Sequence, residues 1–251
     1  MDDAELLRYS RHILLDAWGE QAQQRVRASH ALLIGAGGLG SPAALYLAAS
    51  GVGQLSLVDA DEVDLTNLQR QIALRQADIS LNKAQATART LAALNPLVRL
   101  HTHPLRATAH NLPGLLQGVD VVLDCTDNFA TRHLLNRACV AQRIPLVSGA
   151  AIRFDAQITV FDARQASSPC YACLYPEHSQ DEEERCALMG VFSPLVGIVG
   201  ATQAAEALKL LAGVGTSLMG RLLVLEALSM QWHSLRLPRD PHCPVCAPKA
   251  A

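Results

Sequence analysis

The segment Gly35-Ala36-Gly37-Gly38-Leu39-Gly40 restricts this chain more than any other. It follows a short apolar run, residues 30–34, with the length of a buried strand, and it precedes a longer run that reads as a helix to about residue 50. Gly35, Gly37 and Gly40 have the G-x-G-x-x-G spacing. Such glycines permit a tight turn and let the backbone approach a phosphate at a helix N-terminus. A second strand, 55–58, ends in Asp59, where a carboxylate can hold a ribose hydroxyl. Strand, helix and strand in this order open a parallel sheet. The pattern implies a nucleotide, and taken alone it would favour a dehydrogenase.

The next segment argues otherwise. Asp64-Leu65-Thr66-Asn67-Leu68-Gln69-Arg70-Gln71 is polar and dense in hydrogen-bond donors, and Lys83 opens the helix after it. Two cations beside a nucleotide suit a triphosphate, whose charge must be neutralised before a nucleophile approaches. A pyrophosphate on a glycine loop does not require them, although Arg70 and Lys83 each also fit ordinary surface charge. Farther on, a strand at 119–123 runs into Asp124-Cys125-Thr126-Asp127-Asn128. A carboxylate at a strand end can hold Mg²⁺ together with phosphates. Asp127 equally fits the N-cap of the helix that follows.

The remaining pattern gives the fold class. Residues 3–27 have helical apolar spacing, a helix spans about 82–95 and stops at Pro96, and a strand covers 145–148. Beyond Ala150 the strands 157–161, 222–225 and 231–237 have fewer helices between them, so antiparallel pairing is expected. The reading is a Rossmann-like α/β protein with a mixed sheet, parallel first and antiparallel later. It forms one domain over 1–251: a helical arm (1–28), a nucleotide-binding half (29–150), and a half for partner and metal (151–251).

The formal net charge of −2 gives no support to a nucleic-acid binder. The N-terminus lacks a signal peptide's basic and apolar regions. The longest apolar stretch, 194–213, carries Gln203, Glu206 and Lys209, so it reads as a buried helix and not a bilayer span. Ser193 is its expected N-cap and Gly213 its stop. A soluble, cytoplasmic protein is expected, and seven cysteines there point to metal or chemistry before disulfides.

Cys170-Tyr171-Ala172-Cys173 and Cys243-Pro244-Val245-Cys246 form two C-x-x-C knuckles. Four thiolates suit tetrahedral zinc and leave no position for water, so the site reads as a structural staple on the C-terminus. Cys186 follows the acidic run Asp181-Glu182-Glu183-Glu184, which reads as a solvated loop or as one crossing over a partner's tail. Its thiol reads as a nucleophile or sulfur relay, or as a plain free thiol.

Together these residues resemble the MoeB/ThiF family, relatives of ubiquitin-activating enzymes. The resemblance runs over nearly the whole chain: Arg8-Tyr9-Ser10-Arg11, the glycine loop, Asn67-Leu68-Gln69-Arg70, Lys83, Cys125-Thr126-Asp127-Asn128 and both knuckles. It implies a homodimer using ATP and Mg²⁺ to adenylate the C-terminal glycine of a small ubiquitin-like sulfur carrier ending in Gly-Gly, with release of pyrophosphate. It implies phosphate contacts from Gly38, Asn67, Arg70 and Lys83, and a nucleotide site that includes Asp59, Thr66, Leu68, Gln69 and Asn128. Asp127 handles Mg²⁺, and Arg11 reaches the partner's ATP. With no rhodanese segment within 1–251, a separate sulfurtransferase is expected. The carrier, thiamine-type or molybdopterin-type, stays open, as does covalent capture at Cys186. Two other readings remain: a nicotinamide- or flavin-dependent oxidoreductase, and a non-catalytic zinc-stapled scaffold.

Overall fold

The computed structural model describes residues 1–177 and 189–247. Eight strands form one sheet: β1 (His30–Ile34), β2 (Gln54–Val58), β3 (Arg99–His103), β4 (Val121–Asp124), β5 (Leu146–Ile152), β6 (Asp155–Phe161), β7 (Arg221–Glu226) and β8 (Gln231–Arg236). Their order is β3-β2-β1-β4-β5-β6-β7-β8. The first five pair in parallel, and β5 to β8 pair antiparallel. The expected change from parallel to antiparallel pairing therefore falls at the β5–β6 hairpin.

The helices, in chain order, are α1 (Asp3–Arg8), α2 (Ser10–Ile13), α3 (Gly19–Ala28), α4 (Gly40–Ala49), α5 (Lys83–Leu94), α6 (Leu112–Leu115), α7 (Phe129–Gln142), α8 (Tyr171–Leu174) and α9 (Ser193–Ala212). The N-terminal arm is three helices and not one. Tyr9 interrupts it because its ring is committed to the body: Asn95 Nδ2 donates to the Tyr9 hydroxyl at 3.0 Å, and a Cβ on Gly51 would lie 2.4 Å from the Tyr9 ring. Strand β3 has no counterpart in the sequence reading. Its residues Arg-Leu-His-Thr-His carry few apolar side chains because it is an edge strand.

Alternate residues of the parallel strands feed two apolar layers. Ala31, Leu33, Leu55, Leu57, Val121 and Leu123 meet α4 and α9 on one face, while Leu32, Ile34, Val58 and Val122 meet α6 and α7 on the other. The 20-residue α9 is long and apolar enough to cross a membrane. Its inward face is spent on the core instead. A Cβ on Gly200 would lie 2.2 Å from the Leu39 carbonyl, so α9 and the start of α4 approach backbone to backbone. Glu206 accepts the Leu218 N–H at 2.8 Å and pairs with Lys209. The helix stops at Gly213, in the left-handed region, as expected. Its N-cap is Phe192 and not Ser193, whose hydroxyl donates to the Gln69 carbonyl.

Candidate nucleotide cleft and thiol cluster

From β1 the chain runs outward to β2 and β3, then returns to β4 on the other side of β1. The carboxyl ends of β1 and β4 thus diverge into a crevice, the place where open α/β sheets bind ligands. The glycine loop leaves β1 there. Gly35 has φ of +96°, and a Cβ on it would lie 2.7 Å from the Cys125 carbonyl. A Cβ on Gly40 would come within 2.0 Å of the Gly35 carbonyl. Any side chain at either position breaks the turn. Gly38 is bounded by Val196 of α9, 3.1 Å from its would-be Cβ. Helix α4 has no side-chain cap, so the positive end of its dipole faces the crevice.

Asp59 sits where β2 ends. Its carboxylate accepts the Ala36 N–H at 2.7 Å and the Asp61 N–H at 2.9 Å, which ties the loop to the strand. Burial pushes its pKa up, against those two hydrogen bonds and nearby Lys83. Two carboxylate oxygens accept more than two bonds, so capacity for a ribose hydroxyl remains. Lys83 is buried, and its ammonium lies 3.0 Å from Asp61, a partner the sequence reading missed. Asn82 braces both groups by donating to the Asp59 and Asp61 carbonyls, and it caps α5 through the Gln85 N–H.

In the polar segment, Asp64 caps a short turn by accepting from Thr66, and Asn67 returns the bond to the Asp64 N–H at 3.0 Å. Arg70 donates to the Thr66 carbonyl at 3.0 Å. Thr66 and Gln69 are exposed, whereas Leu68 packs with Val63, Leu74 and Ala86 and serves the core. Gln71 was read only as part of the polar run. It is buried, its Oε1 has no partner, and its amide lies against Gly37.

On the β4 side, Asp124 is fully buried. It accepts from the Thr126 hydroxyl at 2.7 Å, the Thr126 N–H at 3.0 Å and Ser148 at 3.3 Å, with Arg132 Nε at 3.9 Å. Desolvation drives its pKa up, and Arg132 first among its partners opposes that. Arg132 also donates to the Thr126 carbonyl, so this pair shapes the turn and leaves Asp127 exposed at the mouth. The cap of α7 is Asn128, which accepts the Thr131 N–H at 2.9 Å. Asp127 is therefore not the cap, and its exposed carboxylate accepts a long contact from Asn128 Nδ2 at 3.5 Å.

Arg11 is exposed on α2, away from this crevice. Its neighbour Tyr9 packs on Gly51, beyond the far end of the ten-residue α4, which at ~1.5 Å per residue spans ~15 Å. Cys186 lies outside the described residues.

The four knuckle cysteines come together, their ligand atoms all within 4.8 Å of one another. The Cys170–Cys243, Cys173–Cys246 and Cys170–Cys173 sulfur separations are 3.6, 3.5 and 4.0 Å. Zn–S bonds of about 2.3 Å in a tetrahedron require sulfurs about 3.8 Å apart, so the set fits zinc. N–H groups of Cys170 and Asp240 point at Cys173, and the Asn136 amide points at Cys170, each at 3.5 Å. The Cys173 thiol is pulled down to about 5, first by the Cys170 thiol and then by those backbone donors. Cys125 and Cys139 are buried thiols whose pKa values rise by desolvation, and they are inert core residues.

The ThiF family model matches residues 9–245. The sulfur carrier protein ThiS adenylyltransferase of Escherichia coli K12 is 46% identical over 246 residues, 98% of this chain and 97% of that protein. The adenylyltransferase and sulfurtransferase MOCS3 of Anopheles gambiae is 42% identical over 249 residues, but the match spans only 56% of its length. Among solved structures, E. coli MccB with MccA-N7isoASN has a TM-score of 0.85 at 22% identity, covering 98% of this chain and 76% of MccB, and so shares the fold. The glycine loop, the polar segment, the Cys-Thr-Asp-Asn turn and three of the four clustered thiols lie inside the matched region, with Cys246 one residue beyond it, and the chain belongs to the ThiF family.

Proposed function

We infer that this chain is a sulfur carrier protein adenylyltransferase. It uses ATP to activate the C-terminal glycine of a ThiS-like carrier. The observation that carries this reading is an uncapped helix N-terminus at the crevice, with buried Lys83 beside Asp59 and Asp127 exposed after β4, in a chain 46% identical to a ThiS adenylyltransferase along its length. A dinucleotide pyrophosphate on a glycine loop does not require Lys83 and Arg70.

In this reading the glycine loop and α4 hold the phosphates, Gly38 letting them close to the backbone, and Asp59 orients the ribose. Asn67 donates to the triphosphate, and Arg70 and Lys83 draw off its charge. Asp127 is the residue to hold Mg²⁺, which when bound shields phosphate charge and orients the leaving pyrophosphate. The carrier's terminal carboxylate is ionised at neutral pH and needs no general base. It attacks the α-phosphorus, forming one C–O–P bond as the bond to pyrophosphate breaks. Positioning and charge neutralisation are the enzyme's contribution.

Arg11 completes a cleft only from a second copy, given its distance from the chain's own loop, so the active form is a homodimer. Zinc in the four thiols staples residues 243–246 to α8. The free thiols suit a reducing cytoplasm, and a separate sulfurtransferase supplies sulfur. The test is pyrophosphate exchange into ATP with a thiamine-type and a molybdopterin-type carrier in turn. Exchange with the first supports this reading, exchange with only the second reassigns the pathway, and exchange with neither rejects it.

A further inference from the structure

A second concentration of metal-binding side chains lies on β1 and β3, apart from the thiols. In the parallel register His30 aligns with Gln54, Ser56 with His101 and Val58 with His103. Residues two apart on a strand share a face, so His30, His101 and His103 all project from the layer that also carries Leu32 and Val58. The strand between them presents Ser56, whose small side chain lets imidazoles approach from both sides. The His30 and His101 ring centroids are 6.1 Å apart. His30 Nε2 lies 2.8 Å from the Ser56 hydroxyl, and the ring also hydrogen-bonds the Gly118 carbonyl. His103 is near enough to repel both other rings when charged.

We propose that His30, His101 and His103 form a second metal site, for a borderline transition-metal ion such as Zn²⁺ or Ni²⁺, on the side of β1–β3 that also carries Leu32 and Val58. Two imidazoles on one tetrahedral ion have centroids about 5 Å apart, against 6.1 Å here, so ligation requires His101 to turn inward and the ion to take the place of Ser56 at His30 Nε2. The three rings are not gathered as the four thiols are, and His101, exposed on the edge strand, is the one free to turn. The donor set is nitrogen, with water completing the shell, which favours Zn²⁺, Ni²⁺ or Cu²⁺ over Mg²⁺ or Ca²⁺. The Gly118 carbonyl gives His30 the kind of outer hydrogen bond that orients a ligating imidazole. Asp120 holds the His30 backbone N–H at 2.8 Å and fixes the start of β1.

The test uses the untagged full chain with its thiol site already loaded with zinc, titrated with Ni²⁺ and followed by calorimetry and metal analysis. One further equivalent of Ni²⁺ is expected. His101→Ala and His103→Ala should each weaken that binding roughly tenfold or more, with the zinc equivalent retained. His101 is exposed, so its variant folds and keeps the experiment decisive. Absence of bound Ni²⁺ in the parent protein, or undiminished affinity in both variants, overturns the proposal.

Discussion

The Lys83 ammonium and the Asp61 carboxylate meet at 3.0 Å, with the lysine buried and the aspartate exposed. A buried charge needs a partner. In the proposed reaction the triphosphate takes Asp61's place, because it brings more negative charge to the same ammonium. Lys83→Ala should therefore lower carrier-dependent pyrophosphate release about 100-fold or more, measured as kcat/KM. Asp61→Asn should cost far less. Equal losses in the two variants would show the pair to be structural.

Asp127→Ala should abolish adenylation while leaving the fold intact, since Asn128 and not Asp127 caps α7. The check is pyrophosphate release at several Mg²⁺ concentrations, beside a thermal melt. Near-parental release from the folded variant would remove Asp127 from the metal role.

Subunit mixing tests Arg11. Neither Arg11→Ala nor Asp127→Ala alone should be active. Co-expressed, they should recover part of the parental rate, because one cleft of the heterodimer keeps both groups. No recovery in a purified heterodimer refutes action across the interface.

Removal of metal can be followed directly. Cys243→Ser should lose about one zinc equivalent and expose the C-terminal segment to protease. Structural zinc contributes on the order of 10 kcal/mol in small zinc peptides. Here the apolar layers on both sheet faces remain, so the nucleotide half should survive. A full metal equivalent in the variant would rule out the four-thiol site.

Cys186→Ala separates the two steps. Adenylation, read as carrier-dependent pyrophosphate release, should persist. Its severe loss in a folded variant would place Cys186 in the first chemistry. Loss of carrier thiocarboxylate alone would mark a covalent relay.

The glycine loop, the strands bearing branched side chains and both cysteine knuckles were legible in the chain, because each imposes a local constraint: a turn that excludes Cβ, a period of two, a ligand spacing. Arg70 and Lys83 were legible as cations after the second strand; that they meet a nucleotide is part of the proposal. What only tertiary structure decided is who faces whom. Strand β3 was invisible because an edge strand can be polar. Asp124 and Asp127, three residues apart and chemically alike, were separated by burial: one locks a turn with Arg132, the other stands at the mouth. Gln71, Asp61 and the gathering of His30 with His101 depend on the order in which β1, β2 and β3 pair. Local sequence sets dihedral preferences and ligand types, whereas burial and long-range pairing are properties of the closed sheet.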